Sequence, residues 1–132
     1  MSPRVMCLSS EVQNEIATCR DESVEYFKNF RKSLKAGEQA KAGEFLWGAL
    51  VKLLKVNALL AGGILNTHGK MKEFVKHLAQ EFQDREVLEG FKKGEALHAN
   101  YYHNWMDKET FAEYSEEVIL LLHKLESFLL KP

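Results

Sequence analysis

With 18 basic and 19 acidic side chains over 132 residues, the chain carries a formal net charge of −1, which excludes nucleic-acid binding by bulk charge but leaves room for a local basic face. A hydrophobic fraction of 45% and a charged fraction of 28% are those of a globular protein, and the length suits one domain over 1–132, whose core needs no metal or disulfide staple. The two cysteines, Cys7 and Cys19, form neither a metal pattern nor a disulfide framework, and no stretch is long and apolar enough to cross a bilayer.

Residues 1–8 read as a lead-in, with Met6 and Leu8 able to tuck against the fold and Cys7 a near-terminal thiol. No long apolar core follows Arg4, so the start is not a secretory signal and a cytoplasmic location is the default. Ser10-Glu11-Val12-Gln13 reads as a capping box, the serine oxygen accepting an exposed amide and the glutamine reaching back. Behind it Val12, Ile16, Cys19, Ser23, Tyr26, Phe27, Phe30 and Leu34 recur at steps of three and four, the mark of one buried helical stripe. Gly37 is its left-handed stop.

A second helix is predicted from about Glu38 to Ala61, with Gly43, Leu46, Trp47, Leu50, Leu53, Leu54, Asn57 and Ala58 facing inward and Gly62-Gly63 ending it. Asn66 or Thr67 caps a shorter third helix that buries Met71, Phe74, Val75, Leu78 and Phe82. Asp84 caps a fourth, running to about Trp105, with an inner face of Val87 or Leu88, Phe91, Gly94 or Glu95, His98, Tyr101 or Tyr102, and Trp105. Asp107 caps the fifth, where Met106 and Phe111 have staple spacing and Phe111, Tyr114, Val118, Leu121, Leu122, Leu125, Phe128 and Leu129 turn inward. The only prolines are Pro3 and Pro132, so nothing between them breaks a helix. Short connections make neighbours antiparallel. The expected fold is therefore an all-α, up-and-down antiparallel bundle of four to five helices.

The densest chemistry lies between Glu95 and Trp105, which holds His98, Asn100, Tyr101, Tyr102, His103 and Asn104. His98 has two readings. It is either a satisfied core histidine among aromatics, with Asn57 a candidate partner, or the acid–base group of a polar pocket. Glu95 and His98 form a Glu-x-x-His pair of the kind found in carboxylate-bridged di-metal bundles. No second such pair accompanies it, and Glu44 stands alone beside the second helix's apolar face, so no metal or other cofactor is expected. His68 precedes the third helix, and Glu73 and His77 are neighbours on an exposed face within it. Lys70, Lys72 and Lys76 make that helix basic, as Lys92 and Lys93 do the fourth; each cluster is a solvated face unless the two merge to hold phosphate. Gly62-Gly63 lacks the pattern of a phosphate-binding loop, and no Ser–His or Cys–His nucleophile arrangement stands out.

Several of these stretches resemble a known family. Leu34-Lys35-Ala36-Gly37-Glu38, then Ala42-Gly43-Glu44-Phe45-Leu46-Trp47-Gly48-Ala49 and Leu53-Leu54-Lys55-Val56-Asn57-Ala58-Leu59, are similar to the front of a HEPN-type domain. Thr67-His68-Gly69 resembles the entry to its next helix. Ala96-Leu97-His98-Ala99-Asn100-Tyr101-Tyr102 resembles a late block of an archaeal branch, the PaREP family. The likeness covers roughly residues 20 to 128 as a run of loose patterns.

It implies a helical bundle that forms a homodimer, and kinship with proteins acting on RNA or paired with small nucleotidyltransferases. Many HEPN-type proteins are metal-independent ribonucleases with an Arg a few residues ahead of a His, completed across a dimer interface. Here no Arg stands at that distance, and Lys92 and Lys93 take the place, without arginine's planar fork for phosphate. The expectation is a non-catalytic dimeric binding or partner module in an RNA- or nucleotide-related system. The alternative is a diverged ribonuclease or nucleotide-binding enzyme with His98 as its catalytic group. In either case Lys92, Lys93, Asn100, Tyr101, His103 and His68 are the candidate binding residues. The homodimer has one further warrant: Trp47, Tyr101, Tyr102 and Trp105 are hard to place together inside one bundle, and exposed aromatics favour interfaces.

Overall fold

A computed structural model describes residues 8–129. Met6, Cys7 and the rest of the lead-in up to residue 7 lie outside the described residues. The first helix, α1 (Ser10–Lys35), begins one residue earlier than the expected capping box. Its N-cap is Ser9, extended at φ −61° and ψ 156°, whose hydroxyl accepts from the Val12 amide at 3.2 Å. Ser10 is already helical, and Gln13 donates instead to the Leu8 carbonyl at 2.8 Å. Leu8 itself packs against the core. At the other end Gly37 takes φ +76°, a conformation that a side chain would strain, and the chain reverses there.

The helix α2 (Gln39–Leu60) buries every residue of its expected stripe, Gly43, Leu46, Trp47, Leu50, Leu53, Leu54, Asn57 and Ala58. Gly62, at φ +83°, follows its end. Thr67 is the cap of α3 (His68–Glu81), accepting from the Lys70 amide at 3.1 Å, and Met71, Val75 and Leu78 face in. Asp84 caps α4 (Arg85–His103) through the Glu86 amide. Asp107 accepts from the Thr110 amide at 2.7 Å at the start of α5 (Lys108–Leu129), with Met106 and Phe111 both buried beside it.

Cross-helix contacts fix the directions. Ser23 donates to the Ala49 carbonyl at 2.8 Å, and Lys52 meets Glu22 at 3.2 Å, so α1 and α2 run antiparallel. A Cβ on Gly94 would lie 2.8 Å from Leu50, and one on Gly43 would lie 3.5 Å from Leu97, so α2 and α4 are antiparallel as well. Lys124 on α5 bridges to Asp84 at 2.6 Å, and Lys93 reaches Glu117, which makes α4 and α5 antiparallel. The result is an up-and-down bundle of α1, α2, α4 and α5. The short α3 sits in the connection from α2 to α4 and packs chiefly on α4. The core centres on α2, against which α1, α4 and α5 all pack, while α1 has little contact with anything else.

Two expected faces shift. On α1, Ser33 is buried and Leu34 is 48% exposed, because α1 turns its inner side to α2 alone. On α4, the buried stripe is Val87, Gly90, Phe91, Gly94, Leu97 and Asn100. Gly90 and Gly94 let α5 and α2 approach, so the stripe follows the small residues; His98 falls at its edge and Trp105 outside it. The helix also stops at His103, two residues short of Trp105, where Asn104 adopts the left-handed φ of 46°.

Candidate functional site

Where α2, α3 and α4 meet, two glutamate–histidine pairs flank one tryptophan. Glu44 and Trp47 lie one turn apart on α2, and Glu95 and His98 one turn apart on α4. His68 is the first residue of α3. The Glu95–His98 spacing does not make these two residues partners. The Nδ1 of His98 lies 2.9 Å and 3.0 Å from the two carboxylate oxygens of Glu44, and the Nε2 of His68 lies 2.7 Å from Glu95. The position expected for Asn57 as partner is thus filled by Glu44, and Asn57 donates to its own Leu53 carbonyl.

An ionised carboxylate can only accept, so the nitrogen facing it carries the hydrogen. In the neutral imidazole this leaves Nε2 of His98 and Nδ1 of His68 as the basic nitrogens. The His98 ring stacks on Trp47 at 5.5 Å with an interplanar angle of 25°, and meets the edge of Tyr102 at 5.5 Å. The His68 ring lies 6.0 Å from both Trp47 and Phe91. Each imidazole is therefore fixed in plane by an aromatic neighbour and in rotation by a carboxylate. The His98 side chain is 40% exposed, so it is neither an enclosed core histidine nor a free surface one. A shallow cleft of about 270 Å³ opens beside His68, lined also by Trp47, Lys55 and Thr67.

The other candidates fall in different places. Lys92 lies 3.7 Å from Glu89. Lys93 lies 4.3 Å above the Tyr114 ring and 4.0 Å from Glu117, on the side of α4 that meets α5. Five residues of helix turn Lys93 roughly 140° away from His98, so the two are not brought together. Asn100 is 1% exposed, and its side-chain oxygen accepts from the Trp105 and Met106 amides, both at 2.8 Å. It fastens the turn from α4 to α5. Tyr101 is 43%, Tyr102 69% and Trp105 55% exposed, with His103 exposed among them. The end of α4 therefore presents aromatic rings to solvent next to the paired imidazoles. Cys19 is a buried core residue whose thiol is pushed up by burial, against any nucleophilic role. Among the described residues no group of three or more His, Cys, Asp or Glu side chains is placed to hold a metal ion. None of the described helices is long and apolar enough to cross a membrane.

Sequence reasoning missed Glu44, Trp47 and Glu95 as members of this cluster. The signal was present in Glu44 and Trp47 at helical spacing, with an acid bordering an apolar stripe. What one helix cannot disclose is which histidine of another helix it faces.

The family model of the archaeal PaREP1/PaREP8 family matches residues 18–122, and the chain belongs to that family. The matched span contains the whole cluster, from Glu44 to His98 and on to Tyr102. Neither a curated protein nor a solved structure matches the chain.

Proposed function

We propose, from membership of the PaREP1/PaREP8 family, that this chain is a non-catalytic binding module of the HEPN-like kind. It engages a second copy of itself through the aromatic end of α4 and works in an RNA- or nucleotide-related system, with a nucleotidyltransferase-type protein as a further partner. The observation that carries this is the exposure of Tyr101, Tyr102 and Trp105 within five residues of one another, beside the His98–Glu44 pair. Interfaces are enriched in such aromatics, and a lone domain gains nothing by leaving three of them in water. Light scattering on the purified chain at tens of micromolar should give the mass of two copies, and Tyr102→Glu should return it to one. A wild-type protein that stays at the mass of one copy overturns the dimer.

A second reading has its own support. Glu44 holds Nδ1 of His98, while among the described residues Nε2 has no hydrogen-bond partner on a side chain that is 40% exposed, the arrangement by which a carboxylate orients a general base. On this reading the chain is a diverged metal-independent ribonuclease or nucleotide-binding enzyme acting through His98. Cleavage of single-stranded RNA that disappears in His98→Ala and falls by about 10–100-fold in Glu44→Gln would favour it over the binding module. Equal traces of cleavage in all three proteins would remove it.

A further inference from the structure

Helices α1 and α5 both pack on α2 but have little contact with each other. They are tied by a bridge from Arg20 to Glu126 at 3.1 Å, and beyond it a slot opens between them. Its deep part, about 680 Å³, is walled by Phe27, Phe30, Phe111 and Ile119. A second part of about 320 Å³ continues it toward Leu53 and Leu122. From Val24 to Gly37 the slot follows α1 for about 20 Å at 1.5 Å per residue. The deep part alone lies within the usual size of small-molecule pockets, and its walls are mainly apolar, as theirs are.

The charges along its walls say what would fill it. Arg31 lines both parts, Lys108 the deep one and Lys28 the other, and among the described residues none of these three cations has an ion-pair partner. The Arg31 guanidinium rests 5.0 Å above the Phe27 ring, at the junction of the two parts. Glu126, the one acid on the wall, is already paired with Arg20.

We propose that this slot binds an aliphatic monocarboxylate, its chain along the Phe27–Phe30–Phe111 wall and its carboxylate against Arg31. A long apolar trough with an unpaired cationic mouth fits an elongated apolar body with a single anionic head. A guanidinium offers two parallel donors to a carboxylate. The slot shares no lining residue with the imidazole cluster or with Tyr101, Tyr102 and Trp105, so the proposal rests on other residues than the dimer and catalysis by His98.

Calorimetry with decanoate below its micelle-forming concentration, together with amide chemical-shift mapping on the full chain, tests it. The expected result is one molecule bound per chain, with shifts on α1, α5 and the α2 residues Gln39 and Leu53 that line the slot. Arg31→Glu should weaken binding by about tenfold or more, and Arg31→Lys by less. Ala112→Trp, a change at an exposed position on the slot wall, should abolish binding by filling the trough. Decanol binding as tightly as decanoate would overturn the proposal. So would shifts that map to the end of α4, or no binding with these shifts appearing instead on self-association, which would make a second copy the occupant.

Discussion

Asn100 closes the turn between α4 and α5 with a single oxygen that accepts two amides. Its other side-chain atom, Nδ2, is buried without a partner among the described residues, so the residue is kept for the two bonds it accepts. Removing the oxygen leaves two amides to satisfy at a buried position, and Asn100→Ala should lose about 2–3 kcal/mol in urea unfolding. A change under about 0.5 kcal/mol would show that water replaces the oxygen without cost. The late block in which Asn100, Tyr101 and His98 stand was visible in the sequence as unusual, but the three residues do different work. Helical spacing alone separates them: Asn100 falls on the buried stripe with Leu97, whereas Tyr101 and His98 fall to its sides. Asn100 finds its partners five and six residues on, but the partner of His98 lies on another helix at a separation that no local pattern spans, which is why the sequence does not disclose its pairing with Glu44.

Most of the fold was legible at the level of the element. The stripe of α2, the stop at Gly37, the caps Thr67 and Asp84 and the staple of Met106 with Phe111 all follow from spacing, because each depends on residues within one or two turns. The inner face of α4 did so for Val87, Phe91 and Gly94 but not from His98 onward, since it is set by where Gly90 and Gly94 admit neighbouring helices. At Gly94 a Cβ would come within 2.8 Å of Leu50 and 3.0 Å of Trp47, the ring on which His98 stacks. The start of α4 carries a second dependence. Asp84 caps the helix with one oxygen and accepts from Lys124 with the other at 2.6 Å, while Lys124 also reaches Glu86 at 2.8 Å. The Lys124 ammonium holds the Asp84 carboxyl below its ordinary value, and Asp84, with Glu86, raises Lys124 above its own. The carboxylate's contribution is complete above its unfolded value of about 3.9 and is lost as pH falls through the lower folded one. The ammonium's is complete below about 10.4 and is lost as pH rises through the higher folded one. Lys124→Met should therefore cost about 1 kcal/mol, unchanged between about pH 5 and pH 9, with the gap from wild type closing in stronger acid. A gap that varies across the neutral range would assign the effect to other groups.

At the scale of the molecule, the helices do not share stability evenly. The centre is α2, flanked on three sides, while α3 is short, packs chiefly on α4 and carries three buried side chains, Met71, Val75 and Leu78. Local opening free energies follow buried contact, so hydrogen exchange by mass spectrometry should find the amides of α3 exchanging before those of α2 and α4. Protection of α3 equal to that of α2 would mean that the chain opens only as one unit. When α3 lifts, His68 leaves Glu95 and the face of Trp47, while the His98–Glu44 pair, built from α2 and α4, stays in place.

The two tryptophans divide the molecule into an inside and an outside: Trp47 is 6% and Trp105 55% exposed. The chain thus carries two indoles in opposite surroundings, one beneath a pair of imidazoles and one in water. A Trp105→Phe protein would retain a single emitter whose colour and brightness depend on the rings against it. The undocking of α3, the filling of the cleft beside His68 and a change of charge on either imidazole would each register as fluorescence from the site itself, with no label attached.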